Sequence, residues 1–501
     1  MTDRITVILA ALGVLAFARL APAQCPDGTP PPCSRSAPPA RSIAVLTFEN
    51  VTRDTSAQYL AEGLADQIFT RLGSVARLTM VSRTAVRRLR NVDQLSVQQI
   101  GHALNAAFLV NGTIQATGGR VRVNVEALRA ATGAAVWSEA YDRASDDLIG
   151  LEEAIATEVA AGVAGRLSPQ ERRALTSRLT ASSRAYEQFL RGNVLLGRRT
   201  RASLEGAIAA YQAATTSDSG LAEAYGRLAY ALALCGYWEW CGNVASFITP
   251  AQASAARALR LSPRSSDAWM GRGLTLALWS QLPNAGGDDS LPAALAAFRR
   301  AVALNPHNDE AWHQYGFTLS LISDSASLDA MRQALAIEPA RAVTYQDISV
   351  VYYLMGRNTS ALLTVDSAVA LDPDGPFRKW RALYRLTAGD TTGAVADARL
   401  TPSGWWSPAI LAAFAHDSAA VAATRATVTH PPVGIGPGLA AACLLWTGQR
   451  EQAVQSVLRS GPSLWTRWVL RVPVLAPLAD DPRIRALRTA SDSILARTRW
   501  R

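Results

Sequence analysis

The side chains able to bind metals or act as nucleophiles are few in this chain and poorly spaced for either task. The histidines are His102, His307, His313, His416 and His430, and none stands in an H-E-x-x-H pattern or beside a cysteine cluster. A zinc site needs ligands at such convergent spacing, so no metal and no other cofactor is expected. Asp372-Pro373-Asp374-Gly375 resembles the start of a calcium loop, but the twelfth position holds Leu383 where a bidentate glutamate would be needed. Pro and Gly have a turn to make there instead. The glycines of GIGPG follow His430-Pro431-Pro432 rather than a strand, which argues against a phosphate loop. No G-x-S-x-G occurs, and Glu152-Glu153 lies on an amphipathic helix whose solvated face accounts for paired carboxylates. Nucleophilic and acid–base catalysis therefore lack a constellation, and no enzyme is expected. Five cysteines remain: Cys25 and Cys33 flank PDGTPPP, Cys235 and Cys241 flank GYWEW, and Cys443 stands by itself. Either pair has the spacing to close a small disulfide loop in an oxidising compartment, with buried or free thiols as the alternative.

What is left is recognition chemistry, and it depends on the elements that carry it. A turn proline returns at Pro263, Pro306, Pro339 and Pro373, at spacings of 43, 33 and 34 residues. Before it run LPAALAAFRRAVALNP, ASLDAMRQALAIEP and TSALLTVDSAVALDP, whose apolar residues recur at the i, i+3, i+4, i+7 spacing of one helix face. Six residues after the proline stands a ring, Trp269, Trp312 or Tyr345, and four further on Gly273 or Gly316 lets two helices approach closely. A period near 34 residues is the signature of stacked helical hairpins. These residues resemble the tetratricopeptide repeat (TPR) family. Tyr186 and Tyr225 are the corresponding rings of earlier units, and the longer steps contain visible insertions, GYWEWCGNVASF and SQLPNAGGDDS. The resemblance implies a concave face built by the first helix of each unit. Positions one and five after the ring then point into it: Gly226 and Tyr230, Met270 and Leu274, His313 and Phe317, Gln346 and Val350, with Tyr353 one turn on. Tyr230, Met270, His313, Phe317, Gln346 and Tyr353 are the expected groove residues for an extended peptide or partner helix; packing against the next repeat is the competing role for each.

The stretch ahead of the repeats reads differently. Ser42 to Phe48 is a short apolar run with β-branched residues, followed by a helical pattern from Tyr59 to Leu72, LTMVSR as a strand, and SVQQIGHALN as a helix. AAFLVNGTIQ, GRVRVNVEALRA and GAAVWSEAYDR then alternate as strands, joined at Gly118-Gly119 and Thr132-Gly133 by hairpin-turn residues, and a long amphipathic helix closes the block. SIAVLTFEN, YLAEGLADQIFTRL and the hairpin strands resemble the TolB amino-terminal-domain-like module. That resemblance implies a module that precedes TPR arrays in bacterial regulatory proteins, often behind a kinase, cyclase or DNA-binding domain.

The expected architecture is therefore α+β: residues 42–167 a small α/β sandwich, 180–400 an all-α TPR solenoid, and 401–501 degenerate helical repeats and a cap. Residues 1–23, with Arg4 before ITVILAALGVLAF and an Ala21-Pro22-Ala23 site, read as a signal peptide, and the Pro-rich residues 24–41 as a tether. A periplasmic or secreted protein with no stable membrane span after cleavage is expected. The net charge is +10, yet the basic residues are scattered arginines, with Lys379 the one lysine, and form no block interleaved with aromatics. Nucleic acid is accordingly not an expected partner. The expected function is a non-enzymatic scaffold for a protein or peptide partner. The alternative is a regulatory sensor whose sandwich binds a small ligand and whose array relays the state.

Overall fold

The computed structural model describes residues 37–52, 58–89, 92–176, 178–198, 200–237, 245–280, 290–401, 406–415, 417, 420 and 437–498. The expected leader, most of the tether, Cys25, Cys33, Cys241, His416 and His430 lie outside them.

Strands β1 (Ser42–Val45), β2 (Glu49–Asn50), β3 (Thr79–Met80), β4 (Phe108–Thr117), β5 (Arg120–Arg129) and β6 (Ala135–Ala144) form one sheet in the order β3-β1-β4-β5-β6, with β2 also paired to β4. The β1 pairings are parallel, while β4, β5 and β6 form an antiparallel meander. Residue chemistry explains both halves. SIAV is buried on both faces, as a parallel strand under helices must be. In β5, Val121, Val123 and Val125 point inward and Arg120, Arg122 and Asn124 outward. The β4–β5 turn is Gly118-Gly119 at φ +59° and +74°, the left-handed pair that a two-residue hairpin requires.

Helices α1 (Gln58–Leu72) and α4 (Leu148–Ala164) seal the inner face. Helices α2 (Arg83–Arg88) and α3 (Val97–Leu104) cover only β1 and the start of β4. LTMVSR is thus a strand for two residues. Ser82 ends it by accepting the Ala85 N–H and capping α2. After α5 (Pro169–Leu175) six helical hairpins follow. They are α6 (Ser183–Gly197) with α7 (Arg201–Ser217), α8 (Ala222–Tyr237) with α9 (Ala245–Leu261), α10 (Ser266–Trp279) with α11 (Ser290–Leu304), α12 (Asp309–Leu319) with α13 (Asp324–Ile337), α14 (Ala342–Leu354) with α15 (Asn358–Leu371), and α16 (Arg378–Thr387) with α17 (Thr391–Arg399).

The proline-to-ring spacing has a direct physical cause. Trp269 Nε1 donates to the Pro263 carbonyl and Trp312 Nε1 to the Pro306 carbonyl, each at 2.9 Å, so the indole pins the turn to the helix that follows. Ser265 and Asn308 cap those same helices. The glycine four residues past the ring is equally constrained. A Cβ on Gly273 would stand 2.8 Å from the Phe298 ring, and one on Gly316 2.6 Å from Met331, the facing residue of the second helix in each case.

The array does not run straight. One apolar cluster extends from Ile43 in the sheet to Ala311 in α12, so module and early hairpins share a core. The C-terminal helices α18 (Ser407–Phe414), α19 (Pro437–Trp446), α20 (Arg450–Leu458), α21 (Leu464–Val469) and α22 (Pro482–Arg497), with a 3-10 turn at Pro473–Leu478, follow α17. Their apolar residues, among them Trp468, Leu475 and Ile484, join a second cluster with Val350, Tyr353 and Tyr384. Arg471 pairs with Asp324 at 2.5 Å and Arg467 donates to the Leu321 carbonyl, contacts across almost 150 residues of chain. On the other side Ser82 of the module donates to Glu338 at 2.6 Å, across 256 residues. A fixed rotation from each hairpin to the next accumulates into this curl.

Candidate functional site

The curl encloses a chamber of about 2350 Å³. Its inner wall comes from the first helix of successive hairpins, α8 to α16; α1, β3 and the start of α2 close one side, and α21 with the turn after it closes another. The chamber is thus lined by three parts of the chain that are remote in sequence.

The wall carries a series of ion pairs. Arg227 pairs with Asp267 at 3.0 Å, and Asn308 donates to Asp267 at 3.3 Å. Arg341 forks onto Asp309 and Glu310, with the Arg341 side chain only 13% exposed. Glu310 also accepts from Tyr230 and, at 3.1 Å, from Gln314. Charges withdrawn from water are tolerable only when compensated in this way. Pairs from α8 to α14 therefore tie four consecutive hairpins through their chamber-facing helices. Burial in this wall raises the Glu223 carboxyl above its ordinary range.

A second group stands further along. His313 approaches Asp347 at 3.4 Å through Nε2 and Thr344 at 2.9 Å through Nδ1, and Gln346 donates to Asp347 at 2.6 Å. Desolvation pushes the Asp347 carboxyl up to about 7, opposed by the Gln346 bond and by the positive charges of Lys379 and Arg341. Lys379 lies on α16 with Trp380 and Leu383, all three lining the chamber. At the far wall Phe317 packs against Trp465 of α21, ring centroids 5.8 Å apart, and Trp465 against Trp468 at 5.7 Å.

The six expected groove residues divide. His313, Phe317 and Gln346 line the chamber. Tyr230, Met270 and Tyr353 do not: each is 0% exposed, buried between neighbouring helices. The reason is how closely the first helices approach each other. A Cβ on Gly226 would sit 2.8 Å from the Ala268 backbone, and one on Gly271 2.6 Å from the Gly226 carbonyl, so α8 and α10 meet along the line on which Tyr230 and Met270 lie. Tyr353 instead stacks on Tyr384 at 4.6 Å and bonds Thr387 at 2.6 Å. Phe317 faces the chamber but is covered on one side by this chain's own Trp465. Cys235 is buried and disulfide-bonded, and Cys443 is a buried free thiol whose pKa burial drives up to about 12. Among the described residues no group of three His, Cys, Asp or Glu is placed to hold a metal, and no helix is long and apolar enough to cross a membrane.

Sequence reasoning missed Arg341, Asp347, Lys379 and the α21 tryptophans. The signal available for Lys379 was its singularity among 50 basic residues; for the others nothing local marks a residue that faces inward only after the chain has curled.

Fold and chamber define a repeat protein of antiparallel helical hairpins joined to a small sheet module. No protein-family model matches the chain. Over 231 residues it is 24% identical to a protein of Rhizobium meliloti (strain 1021) named "Putative adenylate cyclase 3"; the match spans 46% of this chain and 38% of that protein, so the chain covers well under half of this curated relative's length. Among solved structures it is similar to TTC0263, described as a thermophilic TPR protein of Thermus thermophilus, at 18% identity over 41% of this chain and 98% of that one, TM-score 0.34. It is also similar to YrrB, described as a TPR protein with an unusual peptide-binding site, at 23% identity over 38% of this chain and 89% of that one, TM-score 0.25.

Proposed function

We propose that this chain is a non-enzymatic, exported interaction protein that receives a segment of a partner polypeptide in the chamber enclosed by its hairpins. The carrying observation is the chamber itself. Its volume of about 2350 Å³ exceeds the roughly 300–1,000 Å³ of ordinary small-molecule pockets. Its wall mixes aromatic and apolar surface with polar groups such as Gln346 and His313, the mixture that grips a backbone and a few side chains. Panning a random peptide display library against the full chain tests this. Enriched peptides that lose tenfold or more of their affinity for the Gln346→Ala chain, but not for the outer-face Leu363→Ala chain, support it. Failure to enrich any peptide over a Val350→Trp chain with an obstructed chamber refutes it.

A second reading, a sensor, gains a specific form from the Ser82–Glu338 bond. The module resembling the TolB amino-terminal domain walls the chamber, so a bound molecule touches module and array together. Such a ligand raises the melting temperature of both parts in concert, because it binds only the native arrangement. Export is tested separately by sequencing the mature amino terminus: a start at Gln24 or Cys25 supports it and a retained Met1 or Thr2 refutes it.

A further inference from the structure

Lys379 is the one lysine among 501 residues, and it is placed where a positive charge is costly. It sits on α16 and lines the chamber, partly buried, with no hydrogen bond or ion pair to any described residue. Its ammonium stands 5.9 Å from the Trp380 ring centroid, a cation–π contact that offers weak compensation. Desolvation lowers its pKa, and the charge of Asp347 opposes that. The arginines of the wall are by contrast neutralised at short range, Arg341 by Asp309 and Glu310, Arg227 by Asp267. With the Trp380 ring and the charge of Asp347 acting on it but no anion in hydrogen-bond contact among the described residues, this ammonium gains from a close anion.

The surroundings specify what that partner looks like. Trp468 also lines the chamber, 8% exposed. Trp468 belongs to the apolar cluster that includes Val350, Phe377 and Leu383, with Trp380 packed against it. Lys379 thus shares its helix and its stretch of chamber wall with an apolar surface, Phe377 ahead of it and Trp380 and Leu383 after it. We propose that the Lys379 end of the chamber is a binding site for a carboxylate attached to an apolar body, the anion held by Lys379 and the body by the surface of Phe377, Trp380 and Leu383. Asp347 does not close the site. Its carboxyl is itself buried and already takes the Gln346 donor and faces His313, so an incoming anion meets a cation whose nearest countercharge is engaged elsewhere. Arg341, the other cation that Asp347 senses, is committed to α12.

The site does not depend on the polypeptide reading, because the carboxylate can belong to a free acid or to a chain terminus. A single lysine makes the test direct. Selective 13Cε-lysine labelling places one side-chain signal in the full chain, and 3-phenylpropanoate, its neutral amide, and a hexapeptide ending in phenylalanine with free or amidated carboxyl terminus are the probes. A shift of the Lys379 signal and saturable calorimetric binding by the free acid, at least tenfold weaker for the amide and for Lys379→Met, establishes the site for a small acid. The same pattern from the peptide acid but not from 3-phenylpropanoate establishes it for a polypeptide terminus, and failure of both peptides with success of the free acid removes the polypeptide reading without touching this one. No shift from any probe at 10 mM, or equal binding of acid and amide, overturns the proposal. Circular dichroism of Lys379→Met, with a melting temperature within a few degrees of the parent, separates loss of the site from loss of the fold.

Discussion

Replacing Arg341 by methionine removes the charge that holds Asp309 and Glu310 and keeps most of the side-chain volume. The two carboxylates are not equally exposed: the Asp309 side chain is 31% accessible and that of Glu310 10%. Asp309 can recover water in the variant. Glu310 is far less able to do so, even with the Tyr230 and Gln314 donors still in place. Removing one partner of a buried pair costs about 3–5 kcal/mol, and rehydration of Asp309 places this case near the low end, about 3 kcal/mol. That is on the order of a hundredfold in the folding equilibrium. Urea unfolding followed by circular dichroism and by tryptophan fluorescence reads it, two probes being needed because arrays depart from two-state behaviour. Adding Glu310→Gln removes the stranded charge and restores about half of the loss, the coupling a double-mutant cycle isolates. A loss under about 1 kcal/mol, typical of exposed pairs, or no rescue by Glu310→Gln, refutes the claim that the ladder is withdrawn from water.

Three further outcomes follow from particular contacts. Gly273→Ala sets a Cβ 2.8 Å from the ring of Phe298, which is fully buried and cannot swing away; it destabilises by about 1–3 kcal/mol, and Phe298→Leu in the same chain restores part of it, as chemical denaturation shows. Glu152 is fully buried at the junction of α4 with α6, bonded by Tyr186 and 3.6 Å from Arg71, and desolvation raises its pKa to about 8. The folded state then holds a proton that the unfolded state has released, so stability falls as pH rises from about 4.5 toward 8. Glu152→Gln loses fewer degrees of melting temperature across that window than the parent, the slope that remains coming from the raised Asp347 and Glu223 carboxyls, and parallel pH profiles for the two chains would falsify the assignment. Trp465→Ala takes away the ring that covers Phe317; it costs about 3 kcal/mol and speeds proteolytic cleavage near α21, and unchanged cleavage shows that the closure rests elsewhere.

How much of this was legible depends on how local its cause is. Pro263 to Trp269 is a bond within one turn, so its trace in sequence is a spacing anyone can count. Gly118-Gly119 and the Val121, Val123, Val125 alternation were equally plain, because a hairpin needs left-handed residues and a half-buried strand needs period two. The short α2 escaped notice: the apolar LTMV ahead of it reads as strand, and only the Ser82 cap marks the break. The chamber was not legible. Whether a residue five positions after a ring faces open space or the next hairpin depends on how closely first helices approach, which Gly226 and Gly271 decide together from different repeats. Tyr230 and Met270 were lost to that, while His313, Phe317 and Gln346 kept their inward direction. The contacts of Ser82 with Glu338 and of Arg471 with Asp324 arise from accumulated curvature, to which every hairpin contributes and which none reveals.

Photo-crosslinking from inside the chamber is the most direct trial of the account. A benzophenone side chain is placed at Gln346, which lines the chamber, or at Leu363, which is 68% exposed on the outside of α15, in the full chain expressed in its native cells. A chamber that receives a polypeptide gives a discrete adduct from position 346, competed by a peptide selected on the purified chain, and none from position 363. Adducts from 363 alone, or an adduct at 346 that the selected peptide leaves untouched, contradict it.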